Sequence, residues 1–308
     1  MTAGGQRKGD DPRLGILYRC LTVVLFALMG MFTKLAANSG IPLNEIIFFR
    51  GAVALVPVLC FVALSGEGVA LLKTQRPRAH LIRAAIGGTG MIFVFLGVVH
   101  LPLTESTSIG FSVPIIATVL SATLLKERVG PHRWAATLVG FGGVILLLHP
   151  DPGKMVAAGA IFALIGAGFT AVVTITVRQL SATESPVTIA FYFMLLSAIA
   201  LALTLPFSWA TPSPEQLFYL IAVGFSGGLA QVVMGISLRY APVSTLVPFD
   251  YSQIIWTIFI SWFLWRELPG TNIVLGAPIV IASGLYIVYR EHKRRVPSQP
   301  VANAIEEN

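Results

Sequence analysis

Charge is scarce in this chain: 11% of its 308 residues are charged, against roughly 25% in ordinary soluble domains. A water-facing surface cannot be assembled from so few ions. Cysteine is nearly absent too. Cys20 and Cys60 are the two there are, and both fall inside apolar stretches, so neither a structural disulfide nor a metal-ligand spacing is expected. No His-Glu-x-x-His, no Gly-x-Ser-x-Gly and no Walker phosphate loop occurs, which argues against metalloproteases, serine hydrolases and nucleotide-driven pumps. The sequence reads as that of a non-enzyme without a cofactor.

Apolar sequence is what fills the space. Hydrophobic residues make up 55% of the chain and mean hydropathy is +0.80. A helix crossing a hydrocarbon core of about 30 Å needs about 20 mostly apolar residues. Ten stretches approach that, at roughly 14–37, 42–64, 79–99, 103–125, 131–149, 155–179, 186–207, 215–238, 242–265 and 272–289. The expected fold class is an all-α polytopic membrane protein with ten transmembrane helices.

The chain also matches itself at an offset of 140 residues. Gly87-Gly88 recurs as Gly227-Gly228, Pro102 as Pro242, Ser112 as Ser252, Ile115 as Ile255 and Ser121 as Ser261. Leu124 returns as Leu264, Lys126-Glu127 as Arg266-Glu267 and Gly130 as Gly270. A weaker echo, at an offset of 144, links Lys34 and Pro42 to Arg178 and Pro186. Two five-helix repeats are therefore expected, at 14–149 and 155–289, flanked by tails at 1–13 and 290–308.

Net charge is +7, but its distribution argues against nucleic acid. Basic residues collect before the first stretch (Arg7, Lys8, Arg13), in even-numbered loops (Lys73, Arg76, Arg78, Arg128, Arg133) and after the last (Arg290, Lys293, Arg294, Arg295). By the positive-inside rule both termini face the cytoplasm. Five helices per repeat is an odd number, so the second repeat enters the membrane inverted relative to the first.

Pro114, Leu124-Leu125-Lys126-Glu127-Arg128-Val129, Gly140 and Gly142-Gly143 resemble the EamA repeat of the drug/metabolite transporter superfamily. Trp265-Arg266-Glu267-Leu268-Pro269-Gly270 and Gly276 repeat the pattern, and Glu45 to Arg50 also resembles the family. Residues 74–83, with Gly90-Met91, Phe111 to Pro114 and Arg133-Trp134, are similar to bacterial S-adenosylmethionine uptake transporters. The resemblance implies an inner-membrane carrier. Members of similar layout take up riboflavin or export amino acids or metallophores, and the fold does not choose among them.

Ionisable groups inside a bilayer are costly and become site candidates by default. Arg50 and Asp250 each lie about eight residues into a predicted helix, roughly 12 Å deep. They are candidates to pair, as a structural lock, a gate or a substrate site, or else to stand apart in solvated positions. Tyr251, Gln253 and Trp256 surround Asp250, and Phe111 is the repeat partner of Tyr251. These rings suit a flat heteroaromatic cargo, or else face lipid. Pro114 and Pro248 each withdraw a backbone donor and are expected to kink or hinge their helices. Glu45, His100 and Glu105 are expected near water at outer helix ends. Arg19, Lys34 and Arg83 are expected to snorkel to an interface, and His80 to sit in a loop.

The expectation is a secondary transporter moving a small organic metabolite by alternating access, leaning to uptake of S-adenosylmethionine or riboflavin. Efflux of an amino acid or related metabolite is the alternative, and a non-transporting membrane sensor or assembly partner is an alternative of another class. A coupling ion and a homodimer are compatible with either transport reading.

Overall fold

The computed structural model of the chain describes residues 11–66, 68–123, 130–147, 154–181, 183–241 and 243–294, with backbone alone for 133, 154–157, 243–244 and 291–294. Proline and a capping residue start several helices. Asp11 accepts from the amides of Arg13 and Leu14 at the head of α1 (Pro12–Asn38). Ser185 caps α8 (Pro186–Ala202), and Ser213 with Gln216 forms a capping box on α9 (Pro214–Tyr240). The remaining helices are α2 (Leu43–Leu64), α3 (Pro77–His100), α4 (Leu103–Gly110), α5 (Val113–Thr123), α6 (Pro131–Leu147), α7 (Lys154–Leu180), α10 (Val243–Asp250), α11 (Gln253–Trp265) and α12 (Thr271–Arg294). No strand occurs among the described residues.

Eight segments of these are long and apolar enough to cross a membrane, with α4 and α5 together forming one. The predicted fifth stretch forms a shorter apolar helix over 134–147. The predicted ninth is divided, with α10 and α11 running to 8 and 13 residues. Leu17, Val56, Ile82, Val139, Ile145 and Phe263 are exposed around the exterior, as a bilayer solvent permits. Lys126, Glu127, Arg128 and Pro242 lie outside the described residues.

Each half does not keep to itself. α1 packs mainly on α9, α3 on α7, α2 on α8 and α9, and α6 on α12. A shift of 140 residues turns α1 into α7 and α9 into α3, so the contact of α1 with α9 maps onto that of α7 with α3. One core joins α1, α2, α3, α8 and α9 around Ile46, Ile47, Val58, Phe95, Met194 and Leu220. The other joins the α4–α7 side to α10–α12 around Ile109, Ile115, Val144, Val280 and Ile287. Close approach needs small residues: at Gly228 a Cβ would stand 2.5 Å from the Ala54 carbonyl oxygen. Ala163, Ala167 and Ala171 make the buried face that α7 turns to its neighbours.

Candidate functional site

Two helices are interrupted at positions related by the repeat. α4 ends at Gly110 and α5 begins at Val113, while α10 ends at Asp250 and α11 begins at Gln253. Pro114 occupies the second position of α5, where a missing amide costs nothing, and Pro248 lies inside the last turn of α10. The interruptions meet. The Phe111 and Tyr251 rings are 5.1 Å apart at 59°, and both are buried. Tyr251 Oη and Ser112 Oγ have no hydrogen-bond partner among the described residues. A Cβ at Gly284 of α12 would collide with the Tyr251 hydroxyl, so only glycine admits the ring there. The two aromatics therefore face each other and α12.

Asp250 is held from α1. Arg19 Nε donates to Oδ1 at 2.5 Å and Nη2 to Oδ2 at 2.6 Å, the two-pronged geometry that suits a guanidinium and a carboxylate. The Arg19 side chain is 12% exposed and that of Asp250 36%, so the pair is partly open to solvent on the acid's side. The expected partnership of Asp250 with Arg50 is thereby corrected. Depth is one coordinate only, and α1, which packs on both α2 and α10, supplies the nearer cation. Arg19 does not snorkel. A usable signal was present: Arg19 is the eighth residue of α1 and Asp250 the eighth of α10, and both helices were expected to enter from one face.

Arg50 turns instead toward α8. Its guanidinium and that of Arg83 both lie against the Phe193 ring, and both residues are buried. Trp256 faces outward, exposed with Ile255, Phe259 and Phe263, and does not join the site. Gln253 is half-buried at the first position of α11.

Other charged groups join elements across the two halves. At the far end of α1 from Arg19, Lys34 donates to the Leu101 carbonyl at 3.0 Å, stands 3.7 Å from Glu267 and lies over Trp265. Glu45, expected near water, is fully buried and accepts from the Ala210 amide at 3.2 Å. His80, expected in a loop, lies in α3, 3.8 Å from Glu184 and 4.6 Å from the Tyr192 ring. Glu184 accepts from Thr74 Oγ1 at 2.8 Å and from the Gln75 amide at 3.2 Å. Burial works to raise the Glu184 pKa, but these bonds and the neighbouring imidazole hold it below the usual carboxylate range. An open groove of about 570 Å³ between α6 and α12, lined by Ala136, Val139, Ile279 and Tyr286 among others, lies away from the Arg19–Asp250 pair on the apolar exterior.

Residues 13–149 and 157–289 each match the EamA-like transporter family. An S-adenosylmethionine uptake transporter of Rickettsia conorii is 28% identical over 249 residues, covering 81% of this chain and 84% of that one. A riboflavin transporter of Vibrio cholerae is 27% identical over 292 residues, covering 92% and 95%. A pseudopaline exporter of Pseudomonas aeruginosa is 25% identical over 278 residues, covering 89% and 95%. A solved protein crystal structure shares the fold with a TM-score of 0.61 at 20% identity, covering 89% of this chain and 99% of that one.

Proposed function

The chain belongs to the EamA-like transporter family, and on that premise we propose that it is a secondary carrier of the bacterial inner membrane moving a small organic metabolite by alternating access. It is a multi-pass membrane protein and not an enzyme. In this reading the ten stretches form two inverted five-helix repeats, 14–149 and 155–289, with both termini cytoplasmic. The mapping of the α1–α9 contact onto α3–α7 supports a pseudo-twofold arrangement, the kind that builds a midplane cavity between repeats. The basic loops support the orientation.

The observation that carries the mechanism is the Arg19–Asp250 pair. It ties a helix of the first repeat to one of the second, and Asp250 is the last residue before the interruption of the second repeat. Turning α10 about that interruption would withdraw the carboxylate from the guanidinium and part α1 from α10. Lys34 with Glu267 closes the other end of α1 against the second repeat. A carrier that opens one of these pairs while keeping the other alternates its access.

The cargo we favour is a heteroaromatic metabolite taken up from outside, S-adenosylmethionine or riboflavin. Relatives named for each, at similar identity over most of the chain, support this. The relative named as a pseudopaline exporter favours a second reading, export of an amino acid or related metabolite. Flux into proteoliposomes tests the proposal with radiolabelled S-adenosylmethionine and riboflavin. The wild type moves at least one of them, Asp250→Asn and Arg19→Gln abolish flux, and the exchanged pair Arg19→Asp with Asp250→Arg restores part of it. Unchanged flux in Asp250→Asn would remove the pair from the mechanism.

A further inference from the structure

Two buried guanidinium groups in the first core have no acid partner among the described residues. Arg50 and Arg83 are 5% and 9% exposed, and Nε and Nη1 of each lack a hydrogen-bond partner among the described residues. The Arg50 guanidinium carbon is 5.2 Å from the Phe193 ring centroid and that of Arg83 is 4.0 Å. A ring face attracts a cation, but it leaves in-plane N–H donors unused. Arginine keeps its proton in proteins, so both charges persist beside one ring and repel each other. Unpaired charge in such a place is costly.

The direction of Arg83 is informative. Basic side chains near a membrane surface run outward to water, and helical side chains lean toward their own N-terminus. Arg83, the seventh residue of α3, runs the other way: a Cβ at Gly87, one turn deeper, would collide with its Nη1. At Gly227, the repeat partner of Gly87, the close neighbour of an added Cβ is Met29 Sδ at 2.8 Å, with Arg50 Nε in ordinary contact at 3.7 Å. Ser197, one turn beyond Phe193, is buried with its hydroxyl unpartnered and faces Gly88.

We propose that Arg50, Arg83 and Ser197 around Phe193 form the anion subsite of the carrier and take the carboxylate of an amino-acid-type cargo. This rests on the transport reading. Each guanidinium has donors unused, and one donor from each can meet one oxygen of a carboxylate. A subsite of this kind needs a cargo that carries a carboxylate, which selects S-adenosylmethionine over riboflavin.

Ligand-induced shifts in thermal unfolding of the purified protein in detergent test this at matched ionic strength. The probes are S-adenosylmethionine, its decarboxylated analogue and inorganic phosphate. The wild type is expected to bind S-adenosylmethionine about tenfold or more tightly than the decarboxylated form. Arg50→Gln and Arg83→Gln should erase that preference. Gly87→Ala keeps both charges but displaces the Arg83 guanidinium, and serves if the arginine variants do not fold; it should weaken the preference. Equal binding of the two forms by the wild type, preference retained in the variants, or tighter binding of phosphate than of S-adenosylmethionine would each overturn the carboxylate subsite. Proteoliposome flux separates the two readings. Riboflavin flux without carboxylate preference sinks the subsite alone, whereas carboxylate preference without flux of either cargo upholds the subsite and sinks the transport reading.

Discussion

Glu184 receives hydrogen bonds from Thr74 and Gln75 and stands beside His80, so one carboxylate ties the α2–α3 connection to the turn before α8. Its pKa in the folded chain lies below the ordinary carboxylate value. A group depressed in this way stabilises the fold above its unfolded pKa, and the contribution is lost as pH falls through the folded value. The thermal midpoint in detergent should therefore lose this contribution as pH falls below about 4.3, and Glu184→Gln should lower the midpoint at pH 7 while flattening that decline. An identical slope in both proteins would assign the pH response elsewhere. At this scale the sequence carried part of the site. Asp250 was legible because an acid eight residues into an apolar run has few reasons to be there. Its partner was left open, with Arg50 the candidate, because residue count reports depth along a helix and not the neighbour beside it. The burial of Glu45 was hidden because the loop that encloses it, at Ala210, lies far away in the chain; the inward course of Arg83 had a nearer sign in Gly87, one turn on along the same helix.

Among the elements, the repeated interruption is where the sequence spoke most clearly and still missed the place. Pro114 and Pro248 were expected to bend their helices, and interruptions occur near both. The gap over 111–112 precedes Pro114, since proline is well tolerated at a helix start; the gap over 251–252 follows Pro248 by one turn. The Phe111–Tyr251 meeting was foreshadowed by their repeat relation, but α12 was the unseen third party. Gly284 gives the test. Gly284→Ala should displace Tyr251 and cost about 1–3 kcal/mol of stability, the usual toll of overpacking. Adding Tyr251→Phe removes the colliding oxygen and should recover part of the loss in the thermal midpoint. If the two losses simply add, the ring and the glycine are not coupled.

At the scale of the whole molecule, composition foretold a membrane protein and the 140-residue echo foretold a duplicated one. Neither showed how the copies share their cores, because helix-to-helix contacts in a bilayer depend on azimuth and on small residues whose spacing many faces satisfy. The interleaving of α1–α3 with α7–α9 has a consequence for biosynthesis. As the chain leaves the ribosome, the first six helices stand in lipid with their principal partners α7, α8, α9 and α12 still unmade. The early product is a set of inserted but unmated spans, and assembly waits on the later half. The connection between halves is then a convenience of stoichiometry more than a structural necessity. Fragments 1–152 and 153–308 expressed separately should be degraded or inactive, while their co-expression should yield a complex that copurifies and carries cargo. Stable, folded accumulation of the first fragment alone would show that the newborn half can finish its core without the second.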